Sequence, residues 1–113
     1  LKNLASKKNI TLKKIKDSLV EQLDKKGAKT PFFLSLIDDY MNFEEQERAF
    51  KKDIEERGIV YTAISAQGKK YDKENPSIKA KIMCNKQKLS ILNQLGLTVD
   101  TILNEDDDFE SEL

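Results

Sequence analysis

Three observations in the sequence predict an all-α fold with three main helices, at about residues 11–26, 31–57 and 76–95. Start signals stand at Thr11, at Thr30–Pro31 and at Asn75–Pro76. Each offers a side-chain oxygen that can accept from a free first-turn N–H, and the last two add a proline where no N–H is needed. Stop signals follow at Gly27, Gly58 and Gly96, because glycine adopts the left-handed conformation that closes a helix. Between starts and stops, apolar residues recur every three or four positions, as they do on a helix with one buried face.

In the first helix, Leu12, Ile15, Leu19, Val20 and Leu23 form the stripe over about four turns. Lys13, Lys14 and Lys16 occupy its first turns, beside the positive end of the helix dipole. Each placement there is unfavourable by roughly 0.3 kcal/mol unless an anion is near, and a phosphate backbone would relieve it. The plain alternative is a solvated face.

From Pro31 no glycine or proline appears until Gly58, so the second helix can run nearly thirty residues. Phe33, Ile37, Tyr40, Phe43, Phe50 and Ile54 mark its stripe, dense up to Phe43 and sparse beyond it among Glu44, Glu45, Glu47 and Arg48. That change of character leaves room for a bend or break near residues 42–46. At ~1.5 Å per residue such a helix is about 40 Å long, against a radius of gyration of about 13 Å for a compact domain of this size. An elongated subunit with side surfaces for neighbouring copies is expected.

The stretch Ile59–Ile64, with Val60, Tyr61 and Thr62, is followed by a Gly68 turn and Tyr71, and fits a short ordered loop or a β-hairpin. A hairpin of two strands is marginal alone in water, so it needs helices or another subunit against it. In the third helix the expected core stripe is Ile78, Ile82, Leu89, Leu92 and Leu95, interrupted by Asn85. Leu97, just past Gly96, can fold back onto the last turn. Cys84, the single cysteine, reads as a small core or boundary residue. Ile102 and Leu103 offer one last docking turn before the acidic run 105–113, which is expected to be disordered.

The net charge is zero, yet the charges are sorted by position. Residues 1–16 hold six lysines, Lys2, Lys7, Lys8, Lys13, Lys14 and Lys16, and no acid, whereas residues 105–113 hold six acids and no base. A second basic tract comprises Lys69, Lys70, Lys73, Lys79, Lys81, Lys86 and Lys88, with Tyr61 and Tyr71 at its edge. Basic runs of this kind favour nucleic acid and acidic ones favour basic protein surfaces. The expected organisation is one helical domain over 1–104 with a basic arm at 1–16, then an acidic tail at 105–113. The chain begins at Leu1, so a preceding piece or processing is expected.

The order RG at Arg57–Gly58, a Tyr-containing extended piece, a glycine turn, Asn75–Pro76 and a helix ending NQLGL resembles the small subunit of phage terminases. KIKDSLVEQL, LIDDYM and DIEERG upstream extend the likeness over roughly Lys13 to Asp100. The resemblance implies a non-catalytic DNA-packaging adaptor that assembles into oligomers, usually rings. It also implies binding of double-stranded viral DNA at the packaging start site and delivery to the large subunit, which carries the ATPase and nuclease. On that reading the N-terminal lysines are the first candidates for DNA and the second tract is the next. Asp106, Asp107, Asp108, Phe109 and Glu110 of the tail are candidates for the large subunit.

Catalysis is disfavoured by what the sequence lacks. It has no histidine, hence no imidazole base or His-containing metal site. The GKK at Gly68 has neither the upstream glycine nor the following Ser or Thr of a phosphate-binding loop. Adjacent carboxylates such as Asp38–Asp39 point different ways on a helix, which opposes a metal site, so no metal and no cofactor are expected. No apolar run approaches a membrane span, and the cytoplasm of an infected or lysogenic host is the expected location. The competing functions are a helical protein–protein interaction module and a small transcription regulator.

Overall fold

The structure, a computed structural model, describes residues 10–97. Its elements are α1 (Leu12–Lys25), α2 (Pro31–Arg57), β1 (Val60–Ile64), β2 (Lys70–Glu74) and α3 (Ser77–Leu95). The described residues are mostly helical, with one small antiparallel hairpin where either a loop or a hairpin was expected. The expected docking turn at Ile102 and Leu103 and the expectation of a disordered tail at 105–113 fall outside them.

Side-chain and glycine signals set the helix ends. Thr11 Oγ1 accepts from Lys14 N at 3.2 Å, and Thr30 Oγ1 accepts from Phe33 N at 3.4 Å, with Pro31 opening α2. α3 starts one residue later than expected, yet Asn75 still caps it: its Oδ1 accepts from Ser77 N at 2.9 Å. At the far end Gly96 is left-handed (φ 71°), so Leu97 N can donate to the Leu92 carbonyl at 2.9 Å and close the helix. Lys26 Nζ donates to the Gly96 carbonyl at 2.7 Å, which ties the end of α1 to the end of α3. No break interrupts α2 near residues 42–46.

The core sits at one end of α2. Leu23, Ile37, Ile91, Leu95 and Leu97 are buried together, with Leu19, Val20, Phe33, Leu34, Tyr40 and Leu92 packed around them. Each fully buried aliphatic side chain in such a cluster is worth about 2 kcal/mol. α1 runs back along α2, so its start lies well up that helix. There Arg48 donates to the Ile10 carbonyl, and Ile10 and Ile15 share a groove with Glu44, Glu47, Arg48, Lys51, Lys52 and Glu55.

The expected face of α3 needs correction. Ile82 and Leu89, assigned to the core stripe, are 52% and 58% exposed. The line that meets α2 is Ser77, Lys81, Cys84, Lys88, Ile91 and Leu95, spaced 4, 3, 4, 3, 4, of which Ser77, Cys84, Ile91 and Leu95 are buried. Polar residues hold half of this seam because α2 presents polar partners there. Lys88 Nζ lies 2.6 Å from Glu44 Oε2 and 3.4 Å from Glu47 Oε2, and Cys84 Sγ lies 4.0 Å from Gln46 Oε1. Hydropathy alone picks the apolar line one residue over, about 100° around the helix.

Candidate nucleic-acid interface

The lysines singled out in the sequence fall into three positions. Lys2, Lys7 and Lys8, like the acidic tail residues, lie outside the described residues. Lys13, Lys14 and Lys16 are exposed on the first turns of α1, and Lys16 Nζ lies 3.3 Å from Asp38. With both partners more than half exposed, that ion pair is weak and leaves Lys16 free to exchange partners.

In the second tract, Lys69 sits in the hairpin turn, Lys70 pairs across the ladder with Ile64, and Lys73 pairs with Tyr61. Side chains alternate between the faces of a strand. One face therefore carries Tyr61, Ala63, Tyr71 and Lys73, and the other Val60, Thr62, Ile64, Lys70, Asp72 and Glu74. The tyrosine face holds no acid, and Arg57 adds a second cation 4.6 Å above the Tyr61 ring. Lys79 and Lys86 are exposed on α3, and Lys81 is partly covered.

Lys88 differs from the others. Its side chain is only 12% exposed, clamped between Glu44 and Glu47, with its ammonium 5.4 Å from the Tyr40 ring centre. Burial works against its charge, but the Glu44 hydrogen bond and the charges of Tyr40, Glu44 and Glu47 outweigh it, so its pKa is raised. Burial also pushes the Glu44 carboxyl up, and Lys88 with Arg48 reverses that to a net depression. The Tyr40 hydroxyl is raised, chiefly by burial.

A polar knot fixes the hairpin to the helices. Arg57 Nε and Nη2 donate to the two Asp53 oxygens at 2.8 Å each, and Ser77 Oγ donates to Asp53 Oδ2 at 2.6 Å. Asn75, fully buried, accepts from Arg57 at 3.1 Å and donates to the Gly58 carbonyl at 3.0 Å, while its backbone N–H donates to the Ile59 carbonyl. The Arg57 bonds, helped by Ser77, hold the Asp53 carboxyl well below the usual carboxylate range. β2 is exposed along its whole length and β1 is half-covered only at Tyr61 and Ala63, so this knot supplies most of the support that a lone hairpin lacks.

A family model described as phage terminase, small subunit, matches residues 13–102. That span takes in α1, α2, the hairpin, its knot and α3.

The chain belongs to the phage terminase small-subunit family.

Membership gives it a role in phage DNA packaging. No curated protein and no solved structure matches the chain. The residues by which the sequence resembles other terminase small subunits include Arg57, Gly58, Asn75 and Pro76, and the first three take part in the polar knot. Sequence reading did not single out Asp53 and Ser77, although Asp53 and Arg57, four apart at a helix end, have the spacing of an ion pair. Among the described residues of this terminase small subunit, no cluster of His, Cys, Asp and Glu could hold a metal ion. No described helix is long and apolar enough to cross a membrane.

Proposed function

We propose that this terminase small subunit is a non-catalytic DNA adaptor that works as a closed homo-oligomer in the cytoplasm of the bacterial host. It binds double-stranded viral DNA at the packaging start site and delivers it to the large subunit. The observation that carries this reading is the antiparallel course of α1 along α2. It carries the start of α1, next to Lys13 and Lys14, up to Arg48 of α2, whose side chain donates to the Ile10 carbonyl.

Lys2, Lys7, Lys8, Lys13, Lys14 and Lys16 make the first DNA contact, and Lys69, Lys70 and Lys73 on the hairpin support it. Lys88, occupied by two carboxylates, is left out of the DNA set. Six phosphate contacts alone lose roughly 10³-fold in affinity between 50 and 200 mM salt. Several copies held in one assembly recover that loss, since linked sites gain avidity of about 10²–10⁴-fold. The acidic tail, through Asp106, Asp107, Asp108, Phe109 and Glu110, meets the large subunit.

DNA retention across a salt series tests this reading. Replacing Lys7, Lys8, Lys13 and Lys14 with Glu is expected to abolish retention at 50 mM salt. Unchanged retention would remove the N-terminal lysines from the interface, and an unaltered chain that binds no DNA at that salt would point to a protein interaction module instead.

A further inference from the structure

We propose that the acidic segment 105–113 docks on the outward face of α3 in its own chain, and that the large subunit takes the segment up by displacing it from there. The docking is argued from α3 itself; the competition rests on the reading above that this segment meets the large subunit.

The face consists of residues that the seam with α2 leaves out. At ~100° per residue, Lys79 and Lys86 fall on the opposite side of α3 from Ser77, Cys84 and Lys88, and both are exposed. Ile82 and Leu89 flank them on one side and Met83 on the other, 52%, 58% and 57% exposed. Neither Lys79 nor Lys86 makes an ion pair among the described residues. α3 has four lysines and no acid, whereas α1 and α2 mix the two signs. The face is basic and apolar at once, so the partner that fits it is acidic and carries large apolar side chains.

The sequence supplies such a partner close by. Residues 105–113, EDDDFESEL, hold six acids, no base and Phe109. They follow α3 in the chain, and the end of α3 is fixed: Gly96 is left-handed, Leu97 is buried, and Lys26 holds the Gly96 carbonyl. A segment tethered there through a few residues is present at about millimolar effective concentration. A contact too weak to join separate molecules is therefore populated within one chain.

Register supports the match, because an extended chain advances ~3.3 Å per residue and a helix ~1.5 Å. For a chain that reverses over 98–102 and returns along α3, Asp107 comes level with Lys86 at ~16 Å from the helix end, Phe109 with Ile82 and Met83 at ~23 Å, and Glu110 with Lys79 at ~27 Å. Acids meet bases and the ring meets exposed apolar side chains in a single register. Other lysines fit less well. Lys16 and Lys25 already face acids, and Lys70 and Lys73 share β2 with Asp72 and Glu74.

Two readouts on the full chain test the docking. Met83→Cys with Phe109→Cys, in a Cys84→Ser background, should close a disulfide within one chain under mild oxidation. Closure should be several-fold faster than in the same pair carrying Lys79→Glu with Lys86→Glu. Equal rates in the two backgrounds, or links only between chains, would overturn the docking. Brief chymotrypsin treatment followed by intact mass reads cleavage after Phe109. At 50 mM salt it should be several-fold faster in Lys79→Glu with Lys86→Glu, and slow again when Asp106→Lys, Asp107→Lys and Asp108→Lys are added. Equal cleavage in all three chains would also overturn it. Circular dichroism checks that the exchanged surface positions leave the helices intact. The competition has its own readout: Lys79→Glu with Lys86→Glu should recover several-fold more large subunit than the unaltered chain, and unchanged recovery would refute it. If the unaltered chain and one lacking 105–113 recover the large subunit equally, the tail's role in the reading above fails and the competition with it, while the docking is decided by the first two readouts.

Discussion

Ser77 and Asp53 stand 24 residues apart, yet the Ser77 hydroxyl donates to Asp53 Oδ2 across 2.6 Å and joins the first turn of α3 to the last turn of α2. Asp53 is already held by Arg57, and Asn75 bonds to both Arg57 and Ser77, so one contact supports the whole hairpin base. Ser77→Ala is expected to loosen the hairpin before the helices. Hydrogen exchange of the Tyr61 and Tyr71 amides should rise while that of Ile37 stays protected, and equal change at all three would rule out a local role.

Acid should weaken the fold through two groups. Asp53 and Glu44 both have carboxyls depressed in the folded state from ordinary values of 3.8 and 4.5. Their contribution is therefore present above those values and lost as pH falls through the lower folded ones. Lys88, raised above 10.5, contributes below that value and is lost as pH climbs through its higher folded pKa. Urea midpoints should be level near neutrality and drop below about pH 4.5, and Glu44→Gln should flatten the acid limb. Lys88→Ala, which strands two carboxylates in the seam, should cost about 2 kcal/mol after allowance for residual solvent. The same loss from Lys88→Met in a Glu44→Leu chain would contradict the pairing.

Two isoleucines separate the seam from the outer face. Ile37 is fully buried, so Ile37→Ala should cost about 3 kcal/mol in thermal unfolding. Ile82 is half exposed, and Ile82→Ala should change the stability of an isolated copy by less than about 0.5 kcal/mol. Comparable losses at both positions would return Ile82 to the core.

Removing residues 105–113 takes away six acids. DNA retention should be unaffected or slightly tighter, and co-purification with the large subunit should fall several-fold. Full recovery of that complex would dismiss the tail as its contact.

The ends of the helices were legible because caps act locally. Thr11, Thr30 with Pro31, Asn75 with Pro76, and Gly96 each satisfy or release backbone groups within a turn of themselves, so the residue types alone locate the boundaries. The face of α3 was not legible. Its seam buries a serine and a cysteine and turns two lysines toward α2, and these positions make sense only once the carboxylates and amide of that helix are opposite them. The apolar residues nearby, Ile82 and Leu89, therefore drew the stripe to the wrong side. Likewise the sorting of charge was plain in the sequence, but the place of the α1 lysines along α2, with Lys16 beside Asp38, depends on the antiparallel fold of α1 on α2, which no local signal encodes.

The unbroken α2 has a mechanical consequence. Its 27 residues make a rod of roughly 40 Å, seated at one end in the apolar cluster around Ile37 and bearing the hairpin at the other. Braced by α3 from Glu44 to Asp53, it moves together with that helix as one lever. A tilt of about 10° at its seat sweeps the hairpin tip through roughly 7 Å, about the rise of two base pairs of B-form DNA. Small adjustments among the buried leucines and isoleucines can thus shift Lys69 and Lys70 by that distance, while the two side chains themselves remain unchanged.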